Sequence, residues 1–259
     1  KDSKGRLRVA AATGIGRDGL NRAEALIAAE ADVVIVDTAH GHSKNVLETI
    51  KTLRGMNKDI QIIGGNIATA EAAEDLIKAG ADAVKVGVGP GSACTTRMVT
   101  GFGVPQFTAI YECAKIAEKL RVPLIADGGI RNSRDLVLAL AAGASSVMVG
   151  KLFALTKESA APKRTVGNIV EAKFRGQASE DFQNDFYGKV KEKTVAEGTH
   201  FWARVEKSAQ ELIEELLGGL RSGLTYGGAK NIKELQRKAE FVRVFPSYMT
   251  ESRPRPSSC

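Results

Sequence analysis

Residues Gly87 to Arg97 read GVGPGSACTTR and close the apolar run Ala83–Val86. Glycines at such spacing leave backbone N–H and C=O groups open to a ligand, because few side chains block approach. A thiol in that setting, Cys94, can be lowered in pKa by nearby donors and act as a nucleophile. A lone cysteine is more often a small buried hydrophobe, yet packing requires none of Gly89, Pro90, Gly91, Ser92, Thr95 and Thr96 around it. Similar polar or glycine-rich clusters follow other apolar runs: DTAHGHS (Asp37–Ser43), GGN (Gly64–Asn66), DGG (Asp127–Gly129) and GK (Gly150–Lys151). Asp127 precedes two glycines, which is more than an ordinary turn aspartate needs. Backbone N–H groups gathered at such ends suit a dianion.

The elements that must position these clusters alternate in type. Short, β-branched strands are expected at Leu7–Ala12, Val33–Asp37, Gln61–Gly64, Ala83–Gly87, Leu124–Ala126 and Ser146–Val149. Strands of that composition are buried on both faces. Helical spacing of apolar residues predicts helices at Asp18–Ala29, Ser43–Leu53, Ala70–Ala79, Gln106–Lys119 and Ser133–Ala142. Gly80 is placed to cap the third of these. The βαβα order implies a parallel sheet, and polar clusters at the C-terminal strand ends favour a (β/α)8 TIM barrel over a doubly wound sheet. Six strands fall short of eight, so two are expected upstream of Lys1. A strand-like piece at Phe241–Val244 has no site-forming loop. The stretch from about 158 to 199 is polar and without clear period, and is expected to be a flap or a disordered insert. Helices resume at Ser208–Gly219 and Ile232–Ala239, and the Pro/Ser/Arg-rich tail 245–259 is expected to be extended. Residues 1–259 are taken as one catalytic barrel domain, the C-terminal part of it.

Composition narrows the function classes. The chain has 259 residues, 43% of them hydrophobic, enough for one large core. No run reaches the roughly 18 uncharged apolar residues of a membrane helix. Three cysteines form no disulfide framework, and no Cys/His spacing suggests zinc, so a reducing, cytoplasmic setting is expected. The net charge of +7 fits a partner carrying phosphate, but dispersed cations and 5% aromatics argue against nucleic acid. The terminal Ser-Ser-Cys resembles a peroxisome-type address only weakly.

The cysteine loop, with GVPQFTAIYECA, ADGGI, VDTAHGHS, GGNIAT, AVKVG, LLGGLRSGLTYGGAKNIKEL and FVRV, resembles the IMP dehydrogenase and GMP reductase family over nearly the whole chain. The resemblance implies that a regulatory insert precedes Lys1, between the second and third barrel strands. It implies that Cys94 attacks purine C2 of GMP or IMP and forms a covalent adduct. It gives Asp127 the ribose hydroxyls, Ser92, Gly129, Gly150 and Lys151 the surroundings of the 5′-phosphate, and Gly128 a place among the substrate-binding residues. Arg175, Gly176 and Gln177 join the nucleotide site from the flap. Asp37 takes the nicotinamide ribose, with Gly87, Val88 and Gly89 lining the cofactor side. The carbonyls of Gly89, Gly91 and Cys94 resemble a monovalent-cation site, for K+, which Glu251, Ser252 and Arg253 of a neighbouring subunit complete. A homotetramer is implied. His40 and His42 are either polar loop residues or contacts to the dinucleotide. Lys151 stands where a small residue is usual.

The two branches of that family part at purine C2. A dehydrogenase uses NAD and a flap Arg-Tyr pair to activate water; a reductase uses NADPH and must protonate a departing amine. The flap here reads FRGQASEDFQNDFYGKVKEKTVAEG, with no Arg followed by Tyr. It is short, as in reductases, and Glu197 matches the base-recognition glutamate, placed to work with Thr96. Phe174 stands where Tyr is common, and Thr194 where compact reductases carry Arg. GMP reductase is therefore the expectation, IMP dehydrogenase using Lys189, Lys191 or Lys193 as base the alternative, and a catalytically silent nucleotide-binding protein the third reading.

Overall fold

The computed structural model describes residues 1, 4–188, 190 and 195–254. Six parallel strands form one sheet: β1 (Ala10–Thr13), β2 (Val33–Asp37), β3 (Gln61–Ile67), β4 (Ala83–Val86), β5 (Leu124–Asp127) and β6 (Ser146–Met148). They are hydrogen-bonded in strict chain order. A doubly wound sheet reverses its order at a switch point; this one never does, which is the progression of a TIM barrel. It is part of such a barrel, paired on one side only at β1 and β6 among the described residues.

The crossovers are α1 (Gly16–Ala28), α2 (Lys44–Met56), α3 (Ala70–Lys78), the short α4 (Thr96–Thr100) with α5 (Gln106–Lys119), and α6 (Ser133–Ala141); the short α7 (Lys151–Ala154) follows β6. Side-chain oxygens of Thr69 and Asn132 accept backbone N–H groups at the starts of α3 and α6, satisfying donors the first turn leaves open. Val34, Val36, Ile62, Val84 and Val86 bury one sheet face against Ile50, Leu53, Leu76 and Ile110 of the helices. At the foot of the sheet, Arg54 donates to the carbonyls of Lys58 (2.8 Å), Ile60 (2.9 Å) and Gly80 (3.1 Å) and pairs with Asp82. Asp82 in turn accepts the Ile62 N–H at 2.7 Å. One guanidinium thus ties the end of α2 to β3 and β4.

All six expected strands are present. The first starts at Ala10 rather than Leu7, because the Asp32 carboxylate takes the Val9 N–H at 2.7 Å before the ladder begins. Of the two readings of the stretch from about 158 to 199 the disordered one is set aside, and three other expectations are corrected. The flap is ordered where described: β7 (Lys163–Val166), β8 (Ile169–Arg175) and, after α8 (Glu180–Tyr187), β9 (His200–Arg204) make an antiparallel sheet. Its period-2 pattern is hard to read because β7 is exposed at every position. The helix α9 (Ala209–Tyr226) continues past Gly219. A Cβ on Gly219 would sit 2.1 Å from that of Ser133, and one on Gly223 2.7 Å from Val137. These glycines let α9 press against α6 and do not end the helix. After α10 (Ile232–Lys238), Phe241–Val244 forms no strand; Phe241 instead packs edge-on to Phe107 (4.8 Å) and Tyr111 (5.9 Å). The tail is not extended throughout, because α11 (Ser247–Glu251) forms and its Tyr248 ring receives Arg134 at 5.8 Å. No helix among the described residues is long and apolar enough to cross a membrane.

Candidate active site

The C-terminal ends of β2–β6 and the flap enclose a cleft of about 1090 Å3, near the upper end for small-molecule sites. Asp37, Gly87, Val88, Gly89, Gly91, Ser92, Cys94, Thr96, Asp127, Arg175, Gly176, Gln177 and Glu197 all line it. The expected nucleophile, ribose acid and flap residues therefore converge from distant parts of the chain.

Cys94 is held by its own turn, its N–H donating to Gly91 O at 3.1 Å. The flap then lies antiparallel along it. Thr95 N–H donates to Glu197 O (2.8 Å) and Thr199 N–H to Ala93 O (2.9 Å), bracketing the Cys94–Gly198 bridge. That pairing brings Glu197 to Thr96, whose hydroxyl donates to Glu197 Oε2 at 2.8 Å. Cys94 Sγ lies 3.2 Å from the same hydroxyl. Sulfur, hydroxyl and carboxylate form one chain able to move a proton toward or away from a group bonded to the sulfur. A Cβ on Gly176 would lie 2.9 Å from Ala93 O, and one on Gly198 2.9 Å from Ser179 N, so small residues permit this close approach.

Deeper in the cleft lies a cluster that sequence reasoning missed. Lys85, 2% exposed on β4, reaches Asp37 Oδ1 (3.1 Å), Asp127 Oδ2 (2.6 Å) and Asn66 Oδ1. Asn66 also donates to Asp127 Oδ2 (2.9 Å) and Gly87 O (2.8 Å). The signal was a lysine inside an otherwise apolar strand, Ala-Val-Lys-Val, opposite a glycine. A Cβ on Gly65 would sit 2.8 Å from Lys85 Cβ, so that glycine makes the room.

Other expected residues sit at or beyond the rim. Gly128, Gly129, Gly150 and Lys151 do not line the cleft. Gly128 (φ +87°) lies close under Pro90, Gly150 begins α7 beside Phe174, and Lys151 Nζ lies 5.5 Å above the Phe201 ring. Phe174, which lines the cleft, is 5.6 Å from the same ring. Arg175 is held by Asp185 and by Asp181 (3.3 Å) of α8. The Asp185 carboxylate, more than Asp181, raises its pKa, and Lys173, ahead of Arg175, holds the Asp181 carboxyl below its ordinary value. His42 is bonded to Asp75 at 3.0 Å, and exposed His40 does not line the cleft. Lys189, Lys191, Lys193, Thr194 and Cys259 lie outside the described residues.

Of the three carbonyls expected to hold a monovalent cation, that of Gly91 accepts the Cys94 N–H. The carbonyls of Gly89 and Cys94 accept no hydrogen bond among the described residues, and carbonyl oxygens are the ligands such an ion takes. Glu251, Ser252 and Arg253 do not reach the cleft within this chain. No cluster of three or more His, Cys, Asp or Glu suited to a metal occurs among the described residues.

Comparison with known proteins agrees with this geometry. The IMP dehydrogenase / GMP reductase domain profile matches residues 1–255. The inosine-5′-monophosphate dehydrogenase of Aquifex aeolicus is 52% identical over 94% of this chain and 51% of its own length. That of Nitrosopumilus maritimus is 45% identical over 98% and 55%. A crystal structure of a cysteine-to-alanine variant of Trypanosoma brucei GMP reductase, in complex with guanosine 5′-monophosphate, superposes with a TM-score of 0.94. It is 42% identical and covers 99% of this chain and 54% of that one. The chain thus spans about half the length of the relatives it matches. With the profile matched over residues 1–255 and relatives 45–52% identical over nearly all of it, the chain is a member of the IMP dehydrogenase / GMP reductase family.

Proposed function

We propose that the protein is a GMP reductase, converting GMP and NADPH to IMP and ammonia through a covalent adduct of Cys94. The observation that carries this reading is the Cys94–Thr96–Glu197 chain, in a flap whose sequence has no Arg-Tyr pair to activate water. Cys94 Sγ bonds to purine C2, and its proton passes through the Thr96 hydroxyl to Glu197. The Thr96 hydroxyl passes a proton from Glu197 to the exocyclic amine, so that the C2–N bond breaks and ammonia leaves. A nicotinamide cofactor would be held by Asp37 and the Gly87–Gly89 turn, and would supply a hydride to C2. With C2 carrying that hydrogen, the S–C2 bond would break, the sulfur would take a proton from solvent to become a thiol again, and IMP would depart. The flap strand paired along Cys94 keeps water from C2, which would divert the adduct to XMP.

The nucleotide is held at its ribose by Asp127 and at its phosphate by the Ser92 turn, with the Arg175–Gln177 turn around it and Gly128, Gly129, Gly150 and Lys151 reaching the phosphate from the rim. A K+ ion on the Gly89, Gly91 and Cys94 carbonyls would hold the loop's conformation, completed by Glu251–Arg253 of another subunit in a homotetramer. A reducing cytoplasm keeps Cys94 a thiol. The alternative, IMP dehydrogenase with NAD, is favoured by the names of the bacterial and archaeal relatives. Paired assays decide between them. Ammonia released from GMP plus NADPH, with no NADH formed from IMP plus NAD, supports the reductase; NADH formation in the second assay defeats it.

A further inference from the structure

We propose that Lys85 is a positioning residue that makes the nucleotide and dinucleotide ribose sites one coupled unit; this rests on the reading of Asp127 and Asp37 given above. On β4, Val84 and Val86 are wholly buried on the helix side, so the alternation of a strand sends Lys85 to the barrel interior. An ammonium has three donors, and here they meet three acceptors: Asp37 Oδ1, Asn66 Oδ1 and Asp127 Oδ2. One positive charge is shared by two carboxylates. Each acid spends one oxygen on Lys85; among the described residues Asp37 Oδ2 and Asp127 Oδ1 have no partner, and both acids line the cleft. Those free oxygens are the ones left for the hydroxyls of two different ligands. Asn66 closes the triangle by bonding Asp127 and the Gly87 carbonyl on the dinucleotide side.

Neither acid can move without changing the hold on the other. A nucleotide that fixes Asp127 fixes Lys85 and Asn66, and through them Asp37 and Gly87. The dinucleotide then binds a site already ordered, which is positive cooperativity. The buried ammonium touches neither ligand in this scheme. It sets the geometry of both.

The test uses the intact protein and the unreactive pair GMP and NADP+, with calorimetry as the readout. GMP is expected to tighten NADP+ binding by at least about fivefold in the native protein. Lys85→Met should bring that ratio to about one, and Lys85→Arg should restore part of it. A ratio of one in the native protein, or an unchanged ratio in Lys85→Met, overturns the proposal. Should Lys85→Met fail to fold, Asp37→Asn serves instead, since it removes an acid and not the buried cation. Coupling predicts that Asp37→Asn alters GMP affinity without dinucleotide by at least about threefold, although Asp37 does not contact GMP. Unaltered GMP affinity overturns the proposal. Lack of turnover with GMP plus NADPH would defeat the reductase reading and leave these binding ratios intact, so the two failures are distinguishable.

Discussion

Cys94 and Cys113 are the same residue type in opposite settings. Cys94 sits partly exposed in the cleft with the Thr96 hydroxyl against its sulfur. Cys113, on α5, is wholly buried, and burial, ahead of the neighbouring Glu112 charge, pushes its thiol from 9.0 up to about 12. An alkylating reagent at about pH 8 should therefore label Cys94 and spare Cys113 in the folded protein; peptide mapping reads the difference, and GMP should protect Cys94. Linkage gives the sign for stability. The unfolded thiol ionises near 9.0 and the folded one near 12, so Cys113 supports the fold fully below pH 9 and progressively less as pH rises toward 12. Denaturant titrations should show that decline lessened in Cys113→Ala. The proton chain makes a second prediction. Cys94→Ala should abolish ammonia release while keeping nucleotide binding. Glu197→Gln and Thr96→Val should each lower turnover by about 10²- to 10⁴-fold. Because they act as one relay, the double variant should lose little more than the worse single one. Multiplying losses in that cycle would show two independent roles and remove the relay.

At the scale of elements, the staple at Arg54 separates stability from chemistry. Its guanidinium satisfies three carbonyls and Asp82 at the foot of the sheet, at the opposite ends of the strands from Cys94. Arg54→Met should destabilise by about 1–3 kcal/mol, because partly buried acceptors lose a charged donor. Turnover per folded molecule should stay near the native value. Thermal unfolding with activity measured well below the midpoint checks both halves; a large activity loss in the folded variant would tie the sheet's two ends together. The same elements explain what was legible in the sequence. Strands β2, β4 and β5 are runs such as Val-Val-Ile-Val, whose burial leaves little choice of structure, and the glycine-rich clusters after them mark the site end. The flap was less legible because β7 is exposed throughout and β8 buries only Ala172. β7 pairs with β8, and β8 in turn takes its register from β9, about 30 residues away. Lys85 escaped notice for a related reason: a lysine in a strand suggests an exposed position until its two acids, Asp37 and Asp127, are brought in from β2 and β5.

For the whole molecule, the site and the surface beside it are continuous. α4 begins at Thr96, a member of the proton chain, and ends in a patch with Met98 88% exposed, Val99 44% and Phe102 77%. Apolar side chains grouped this way next to a functional loop suit a subunit contact more than solvent. In the proposed homotetramer another copy covers this patch, and a neighbour also brings Glu251, Ser252 and Arg253 to the carbonyls of the Cys94 loop. Assembly then acts on chemistry through one short helix: burying Phe102 steadies α4, and α4 carries Thr96. The double substitution Met98→Asp and Phe102→Asp should therefore dissociate the assembly in light scattering. It should also lower turnover and weaken its response to K+, while the six-stranded core, which does not use either residue, keeps its far-UV circular dichroism spectrum. If the substituted protein were monomeric and still fully active and K+-responsive, the cysteine loop would be complete within a single chain, and the contribution assigned to the neighbour's tail would have to be withdrawn.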